Sequence, residues 1–360
     1  MLGVKIKIMK EILQQLISFK TTHEEKNKKD FDKAFEWIIK KSRKYIFDYK
    51  LIIKNDYKNL IIFKSKQPTV ILVTHIDVVP AKTDDFILKE TKTKFIGRGV
   101  YDMKFAIASG LKLLQELPSQ AKFALVITSD EEIGGFNGVG YLAKYLVSLG
   151  KVFIIPDGGY NFNLETEAKG ILHLKLNFFG KKAHASTPWK GKSAFDEFFK
   201  GYYKLRKIFK ETQQETFKPT LNIGKIQGGS AINQVMDYLE VFLDIRFPKK
   251  YQSQKILNLI KKFFPDAKVN ILVSGEAIKI NFQNTFLQQW IKITKEIIKK
   301  EIKFTKSFGA SDARFLSPFN VPLVITRPKG GNHHGENEWL DKKSFFQFYE
   351  ILRSYILKYS

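Results

Sequence analysis

Three continuous apolar segments, each ending in acidic or histidine residues, limit what this chain can fold into. They read PTVILVTHID at 68–77, AKFALVITSDEE at 121–132 and KVFIIPDGG at 151–159. Apolar runs of this length indicate strands that are buried on both faces of a largely parallel sheet. Helical patterns at 103–117 and 139–149 lie between the segments, so the order predicts an alternating α/β domain.

Side chains of the kind that bind metals follow each of the three predicted strands. His75 and Asp77 close the first strand, Glu131 and Glu132 follow the second, and Asp157 follows the third. In open α/β sheets, functional sites gather at the carboxyl ends of the strands. The sequence therefore predicts that these side chains meet at one edge of the sheet.

The middle of the chain has a different pattern. Between 168 and 275 the segments follow the order strand, helix, strand, strand, helix, strand, which is that of a ferredoxin-like βαββαβ domain. Helix and strand patterns alternate again after it and include the apolar segment NVPLVIT. We therefore expect an α/β domain built from 1–167 and 277–360, with a smaller domain at 168–276 inserted into it.

Composition excludes several classes of protein. The chain has 360 residues and no cysteine, which excludes disulfide frameworks, thiolate metal sites and cysteine nucleophiles. The formal net charge is +25, but only 7 of the 61 basic residues are arginine. Because nucleic-acid surfaces favour arginine, we interpret the scattered lysines as solvated faces and expect no nucleic-acid partner. No apolar run has the length of a membrane span and the first residues lack a signal-peptide core, so we expect a cytoplasmic protein with no membrane partner.

Several motifs each permit a structural and a chemical interpretation. The carboxylate of Asp77 suits the second ring nitrogen of a metal-binding His75, but it also suits a capped strand end. Asp102, in GRGVYDMK, is placed either to cap a helix or to bridge two cations. In TSDEEIGG, one acid is suited to ligate metal while its neighbour acts as a general base, and a solvated acidic loop is the alternative.

Two further segments complete the pattern. Asp157 precedes paired glycines at its strand end, and His333 and His334 lie in the glycine-rich loop GGNHHGENEW. Carboxylate and imidazole ligands suit zinc and similar ions. Two such ions would hold an attacking hydroxide and polarise an amide carbonyl, so the combined pattern indicates metal-dependent amide hydrolysis.

Taken together, the motifs resemble a family of di-zinc amidohydrolases and exopeptidases. The family includes succinyl-diaminopimelate desuccinylase, acetylornithine deacetylase, aminoacylase and several dipeptidases. The motifs that carry the resemblance are VTHIDVVP, GRGVYDMK, TSDEEIGG, GKKAHASTP, GASDARF and HHGENEW, in the family's order and over nearly the whole chain. The resemblance implies a zinc-peptidase-like α/β catalytic domain, in which the inserted ferredoxin-like domain is a lid and dimerisation module.

The resemblance also implies two Zn²⁺ ions, for which Co²⁺ or Mn²⁺ would be substitutes. One zinc is held by His75 and Asp157, the other by Glu132 and His334, and Asp102 bridges them. The peptide bond after Asp102 is expected to be cis.

The same resemblance assigns the catalytic roles. Glu131 is the general base that activates the bridging water, and Asp77 orients the metal ligand His75. His334 is preferred to His333 as a ligand because it precedes Asn337-Glu338 at the family's spacing.

Residues of the inserted domain are expected to complete the site. His184, in AHASTP, resembles the family histidine that reaches into the partner subunit's active site and stabilises the oxyanion, which implies a homodimer. Asn233 and Arg246 resemble lid residues that hold the polar end or the carboxylate of the substrate. The alternatives are that His184 caps a turn and that Arg246 pairs with Asp244 or Asp237.

The segment GASDARF is expected to line the substrate pocket. Gly309 and Ser311 are assigned to substrate binding, whereas Asp312 either joins them or caps the short helix that follows. His23 and His173 show no partner pattern and receive no role in the site.

The family divides by substrate, and this chain departs from the desuccinylase pattern. Ala310 stands where that pattern has a threonine, Lys169 where it has an arginine, and Gly330 and Gly331 where it has an asparagine. Lysine does not replace the bidentate fork of arginine on a succinyl carboxylate. Aspartate at 157, where the family's deacylases carry glutamate, favours a peptidase.

We therefore expect a zinc-dependent hydrolase of amide bonds in small peptides or N-acyl amino acids, and within that range a dipeptidase or exopeptidase. The alternative within the family is a deacylase such as succinyl-diaminopimelate desuccinylase or acetylornithine deacetylase. A catalytically silent small-molecule-binding protein is the alternative of another class.

Overall fold

Helices and strands alternate along most of the chain. The computed structural model describes residues 2–210 and 215–360. The α-helices are α1 (Leu2–Ser18), α2 (Lys28–Ser42), α3 (Lys104–Glu116), α4 (Val139–Leu149), α5 (Ala194–Ile208), α6 (Ser253–Phe263), α7 (Thr285–Ile298), α8 (Ala313–Leu316) and α9 (Lys342–Lys358). The strands are β1 (Asp48–Lys54), β2 (Tyr57–Phe63), β3 (Val70–His75), β4 (Lys89–Glu90), β5 (Lys94–Ile96), β6 (Phe123–Thr128), β7 (Val152–Ile155), β8 (Leu164–Ala168), β9 (Gly170–Phe179), β10 (Thr220–Gly228), β11 (Tyr238–Phe247), β12 (Lys268–Gly275), β13 (Ile278–Lys279), β14 (Phe304–Ser307), β15 (Leu323–Ile325), β16 (Gly330–Gly331) and β17 (Trp339–Asp341).

The described residues divide into two compact units. Unit 1 comprises residues 2–166, 280–305 and 311–360, and unit 2 comprises residues 167–210, 215–279 and 306–310. The segment 306–310, which the sequence analysis placed with the two ends of the chain, lies with unit 2. No helix among the described residues is long and apolar enough to cross a membrane.

A six-stranded sheet with the order β1-β2-β6-β3-β7-β15 forms the centre of unit 1. β3 runs parallel to β6 and β7, and β15 runs parallel to β7, whereas β1 and β2 are antiparallel at one side. Every residue of β3, β6 and β7 is buried, as the continuous apolar runs predict. The carboxyl ends of four parallel strands therefore share one edge of the sheet.

The core of unit 1 joins this sheet to its helices. In α1, the helical spacing of Met9, Leu13 and Leu16 gives the helix one buried face. These side chains belong to the same hydrophobic core as alternate strand residues such as Leu72 and Leu125, and as the buried faces of α3, α7 and α9. The core thus fixes the strands whose ends carry the candidate site residues.

Unit 2 contains an antiparallel four-stranded sheet with the order β10-β11-β9-β12. Side chains of β11 alternate between buried and more exposed positions, and Leu174 of β9 and Leu243 of β11 share a core with Phe198 of α5 and Ile260 of α6. The helices therefore cover one face of the sheet. This is the predicted ferredoxin-like arrangement, and the α/β fold predicted from the sequence is confirmed.

Candidate metal centre

The candidate site begins where the parallel strands of unit 1 end. His75, the last residue of β3, is opposite Thr128, the last residue of β6. Glu131 and Glu132 open a short 3-10 turn just after β6, and Asp157 lies two residues after β7. Parallel pairing therefore brings ligand-type side chains from three strands to one place, as the sequence analysis predicts.

Two groups of potential metal ligands meet at Asp102. One consists of His75, Asp102 and Asp157, the other of Asp102, Glu132 and His334, and in each group the ligand atoms lie within 4.8 Å of one another. Nε2 of His334 is 3.2 Å from Oδ2 of Asp102 and 3.1 Å from Oε2 of Glu132. Asp102 is thus shared by two groups that comprise all five ligands implied by the resemblance.

Glu338 holds the turn that carries Asp102. Its carboxylate accepts hydrogen bonds from the backbone N–H groups of Gly99, Tyr101 and Asp102, at 2.7 to 3.0 Å, and it pairs with the Arg98 guanidinium at 2.8 Å. The Asp102–Met103 peptide bond is cis, as expected. The sequence analysis used Glu338 only for its spacing from His334 and missed this role.

Asp77 lies beside the candidate ligand His75 and is completely buried. Nδ1 of His75 is 3.0 Å from the Asp77 backbone oxygen and 3.5 Å from Oδ1 of its carboxylate. The other carboxylate oxygen, Oδ2, accepts the backbone N–H of Glu132 at 2.9 Å and lies 3.2 Å from Nε2 of His23. Although burial opposes it, contacts with His23 and His75 lower the pKa of the Asp77 carboxyl. Asp77 therefore stays ionised and links a candidate ligand on β3 to a candidate ligand in the Glu131–Ile133 turn.

Burial and neighbouring carboxylates raise the pKa of three acidic groups of the site. Burial, together with the Asp102 and Glu131 carboxylates, raises the pKa of Asp157 well above its ordinary value. Burial, together with the Asp312 and Asp102 carboxylates, does the same to the pKa of Glu131. Burial raises the pKa of Asp312 to about 8. So many carboxylates ionise together only when cations neutralise them.

The residues fit a divalent metal such as zinc. Nε2 of His75 and Oδ1 of Asp102 are buried and 3.4 Å apart, and neither has a hydrogen-bond partner among the described residues. Buried polar atoms without partners are costly, and a cation between them would satisfy both. Imidazole nitrogen and carboxylate oxygen are donors that zinc accepts.

The expected substrate residues divide between the two units. Ser311 and Asp312 lie in unit 1 and are buried, and Asp312 makes no side-chain cap hydrogen bond although it occupies the N-cap position of α8. Asn233 and Gly309 are exposed residues of unit 2. The structure therefore gives Asp312 no capping bond, and its oxygen Oδ1 is buried without a partner among the described residues.

His184 and Arg246, also in unit 2, make the contacts that the structural alternatives predict. Nδ1 of the exposed His184 is 2.8 Å from Oγ of Ser186, within the turn that follows it. The Arg246 guanidinium donates Nε–H and Nη2–H to both carboxylate oxygens of Asp244, at 2.7 and 3.1 Å. Asp244 also lies 3.2 Å from Nε2 of His173, so His173 has a partner that its sequence context does not reveal.

Comparison with known proteins identifies the family. The model of peptidase family M20/M25/M40 matches residues 71–358. A succinyl-diaminopimelate desuccinylase of Rickettsia akari (strain Hartford) is 25% identical over 380 residues, which cover 96% of this chain and 98% of the relative. The fold is similar to that of aminopeptidase PepT from Bacillus cereus, with a TM-score of 0.77, 19% identity and 98% of each chain covered. It is equally similar to a tripeptidase from Staphylococcus aureus, with a TM-score of 0.77, 22% identity and 98% of this chain and 97% of the other covered.

This chain belongs to peptidase family M20/M25/M40. The resemblance inferred from the motifs is thereby confirmed. It follows that the protein is a metallohydrolase that acts on amide bonds.

Arg327 is a further residue at this M20 site that sequence reasoning missed. It lies two residues after β15, and its Nη1 is 3.9 Å from Oδ1 of Asp157. Its guanidinium lies 4.4 Å from the ring centre of the buried Tyr101. The sequence does contain a sign of Arg327, because this residue follows the apolar segment NVPLVIT. That segment contains β15, the fourth parallel strand that ends at this edge.

Proposed function

We propose that this protein is a di-zinc hydrolase that cleaves amide bonds in small peptides, acting as a dipeptidase or exopeptidase. The observation that carries the proposal is the meeting of five side chains that can bind metal, in two groups that share Asp102. A further acid, Glu131, precedes Glu132 in the sequence. One zinc would be held by His75, Asp102 and Asp157. The other would be held by Asp102, Glu132 and His334. When bound, the two ions polarise the scissile carbonyl and lower the pKa of the attacking water.

Glu131 is the proposed general base. It is the acid of the turn after β6 that belongs to neither ligand group. Its carboxylate takes a proton from the attacking water and then transfers that proton to the leaving amine. Burial and the Asp312 and Asp102 carboxylates raise the pKa of this carboxyl above its ordinary value, and a higher pKa makes it a stronger base toward the attacking water.

Asp77 and residues of unit 2 have supporting roles in this proposal. Asp77 orients the His75 ring through the contacts with Nδ1. His184 stabilises the oxyanion of the tetrahedral state in the partner subunit, as the family resemblance implies. Asn233, Gly309 and Ser311 contact the substrate. Arg246 presents to the substrate a guanidinium that Asp244 holds in place.

An exposed apolar stripe on α5 supports a homodimer formed through unit 2. Phe195, Phe199 and Tyr203 follow one another at intervals of four residues, and their exposed fractions are 42%, 55% and 59%. Residues at this spacing lie on one face of a helix. An exposed apolar face of this kind is typical of a surface that a partner covers.

A deacylase is the second candidate. The curated relative described above is named succinyl-diaminopimelate desuccinylase, whereas the two similar solved structures are named aminopeptidase and tripeptidase. Lys169 argues against a succinyl substrate. It is buried, donates to the Thr216 backbone oxygen and lies 5.1 Å from the ring centre of Phe308, so it provides no bidentate fork for a carboxylate.

The test is cleavage of a mixed pool of dipeptides and N-acyl amino acids by the zinc-loaded protein, followed by mass spectrometry. We expect loss of dipeptides, and loss of 10²–10⁴-fold in turnover in Glu131→Gln with both metals retained. Glu336→Gln, an exposed acid of the His334 loop that pairs with Lys82 at 2.7 Å, is the matched control and should retain turnover.

Each other outcome contradicts a different part of the proposal. Loss of succinyl or acetyl conjugates alone would make the protein a deacylase. Turnover in Glu131→Gln equal to that of the wild type would contradict the proposed base. Metal binding without cleavage of any pool member would support the catalytically silent binding protein.

A further inference from the structure

The candidate metal centre has a contact that no motif contains. Nε2 of His23 lies 3.2 Å from Oδ2 of Asp77, across a sequence separation of 54 residues. An ionised carboxylate only accepts hydrogen bonds, so the ring nitrogen is the donor. The same oxygen accepts the backbone N–H of Glu132 at 2.9 Å. Two donors from separate parts of the chain therefore hold one oxygen of a completely buried carboxylate.

The carboxylate that these two donors hold lies next to the proposed metal ligand His75. Oδ1 of Asp77 is 3.5 Å from Nδ1 of His75 and has no hydrogen-bond partner among the described residues. The contacts made at Oδ2 are therefore what fixes the plane of this carboxylate. The hydrogen bond of His75 Nδ1 is with the backbone oxygen of the same residue, Asp77, at 3.0 Å, so holding Asp77 in place holds the angle at which the His75 ring presents Nε2. The backbone of Glu132, another proposed ligand, is tied to the same group.

The segment that carries His23 is attached to the end of β3. The Thr21 hydroxyl donates to the Ile76 backbone oxygen at 2.6 Å, and the Val78 backbone N–H donates to the Thr21 backbone oxygen at 2.9 Å. Thr21 and Thr22 are completely buried. The backbone next to His23 is therefore held against the strand end from which His75 and Asp77 project.

Two aromatic rings hold the imidazole of His23. The Phe31 ring stacks on it with a centroid distance of 5.3 Å, and the Tyr57 ring meets it edge-on at 5.7 Å. His23 lines a cavity of about 410 Å³, together with Phe31, Tyr57 and Lys58. The His23 side chain is 23% exposed, so a small molecule in solution can reach its position.

We propose that His23 is a positioning residue of the metal centre. It donates to the Asp77 carboxylate and so holds in place the residue whose backbone oxygen faces Nδ1 of His75 and whose carboxylate accepts the backbone N–H of Glu132. The proposal rests on the proposed function, because His75 and Glu132 are taken to be metal ligands. Outer partners of metal-binding histidines typically contribute 10–100-fold to metal affinity.

The test compares variants that separate the hydrogen bond from the packing. His23→Phe keeps an aromatic ring between Phe31 and Tyr57 but removes the donor, and His23→Gln restores an N–H donor. We expect His23→Phe to bind Zn²⁺ 10–100-fold more weakly in chelator competition and to have a lower kcat at saturating metal. In the Co²⁺-loaded protein, the visible absorption spectrum should change in His23→Phe and return toward that of the wild type in His23→Gln.

A cavity-forming variant gives an independent measurement. His23→Ala removes the ring and extends the open cavity, so added imidazole can occupy the place of the side chain. Imidazole at millimolar concentration should restore part of the lost kcat in His23→Ala and none in His23→Phe. His173→Phe is the matched control, because His173 also lies 3.2 Å from an aspartate, and it should leave metal affinity and the cobalt spectrum unchanged.

The outcomes distinguish this proposal from the proposed function. Wild-type metal affinity and cobalt spectrum in His23→Phe would overturn the positioning role, as would a lower Tm of the metal-free protein with an unchanged spectrum. The spectrum needs no substrate, so it reports on His23 even if no amide is cleaved. Failure of the zinc-loaded wild type to cleave any member of the amide pool would overturn the proposed function and leave the His23 result intact.

Discussion

Glu165 is a buried acid whose ionisation is opposed by its surroundings. Burial raises its pKa to about 7 from an ordinary 4.5, although the Gly159 N–H and Arg327 act in the other direction. The folded protein therefore holds this proton more tightly than the unfolded chain does. The contribution of Glu165 to the free energy of unfolding is therefore fully present below about pH 4.5 and is lost as the pH rises through about 7.

Glu165→Gln should remove this pH dependence. The amide oxygen still accepts the Gly159 backbone N–H, which Oε1 of Glu165 accepts at 3.1 Å, but the side chain no longer ionises. Between pH 5 and pH 8, we expect the metal-free wild type to lose up to about 3 kcal/mol of unfolding free energy relative to the variant. Urea unfolding at several pH values measures this difference. A constant difference would contradict the assignment, and Glu296→Gln, at an exposed position on α7, is the control.

Single residues also show which parts of the site a sequence reveals. His75, Glu132 and Asp157 were predictable because each follows an apolar run, and parallel strands end at a common edge. His23 and Glu338 were missed because their contacts link distant parts of the chain, over 54 residues for His23–Asp77 and 240 for Arg98–Glu338. No local pattern specifies such pairs.

Elements were predictable where they are long and periodic. The sequence predicts a helix at 139–149, and the structure has α4 at Val139–Leu149. The four-stranded sheet β16-β17-β5-β4 was not predicted, because its strands have only two or three residues, which is too short for a sequence pattern to indicate a strand. This small sheet pairs β17, which begins one residue after Glu338, with β5, which ends one residue before Gly97.

Packing of α3 on the central sheet depends on a glycine in the helix interior. A Cβ atom at Gly110 would lie 2.9 Å from both terminal methyl carbons of Leu125 and 3.3 Å from a methyl carbon of Leu72. Alanine improves helix propensity by about 1 kcal/mol, but overpacking a core typically costs about 1–3 kcal/mol. We expect Gly110→Ala to lower the free energy of unfolding by about 1 kcal/mol, measured by urea denaturation.

The control for this substitution is Gly224→Ala in β10. No atom of the residues that the structure describes lies within 4 Å of a Cβ placed there, so this variant should be neutral or slightly stabilising. A Gly110→Ala protein more stable than the wild type would mean that Leu125 moves aside at little cost. The close approach of α3 to β6 would then not depend on the absence of a side chain.

At the scale of the whole molecule, the ligands of the proposed metal centre and its proposed oxyanion residue belong to different units. The candidate ligands His75, Asp102 and Glu132 lie in unit 1, and His184 lies in unit 2. If the protein is a homodimer in which His184 serves the partner's site, each active site combines unit 1 of one subunit with unit 2 of the other. Defects in the two units would then complement one another between subunits.

Mixed dimers test this arrangement. Alone, Glu131→Gln and His184→Ala should each be nearly inactive while retaining metal. Mixed in equal amounts and allowed to exchange subunits, they should regain about one quarter of wild-type activity, because half of the dimers are mixed and each has one intact site. A mixture of Glu131→Gln with His334→Ala, both in unit 1, is the control and should regain none.

If light scattering detects dimers and mass spectrometry detects mixed ones, yet the first mixture stays inactive, His184 does not act across the dimer. If the wild type is a monomer, the exposed stripe of Phe195, Phe199 and Tyr203 has another partner.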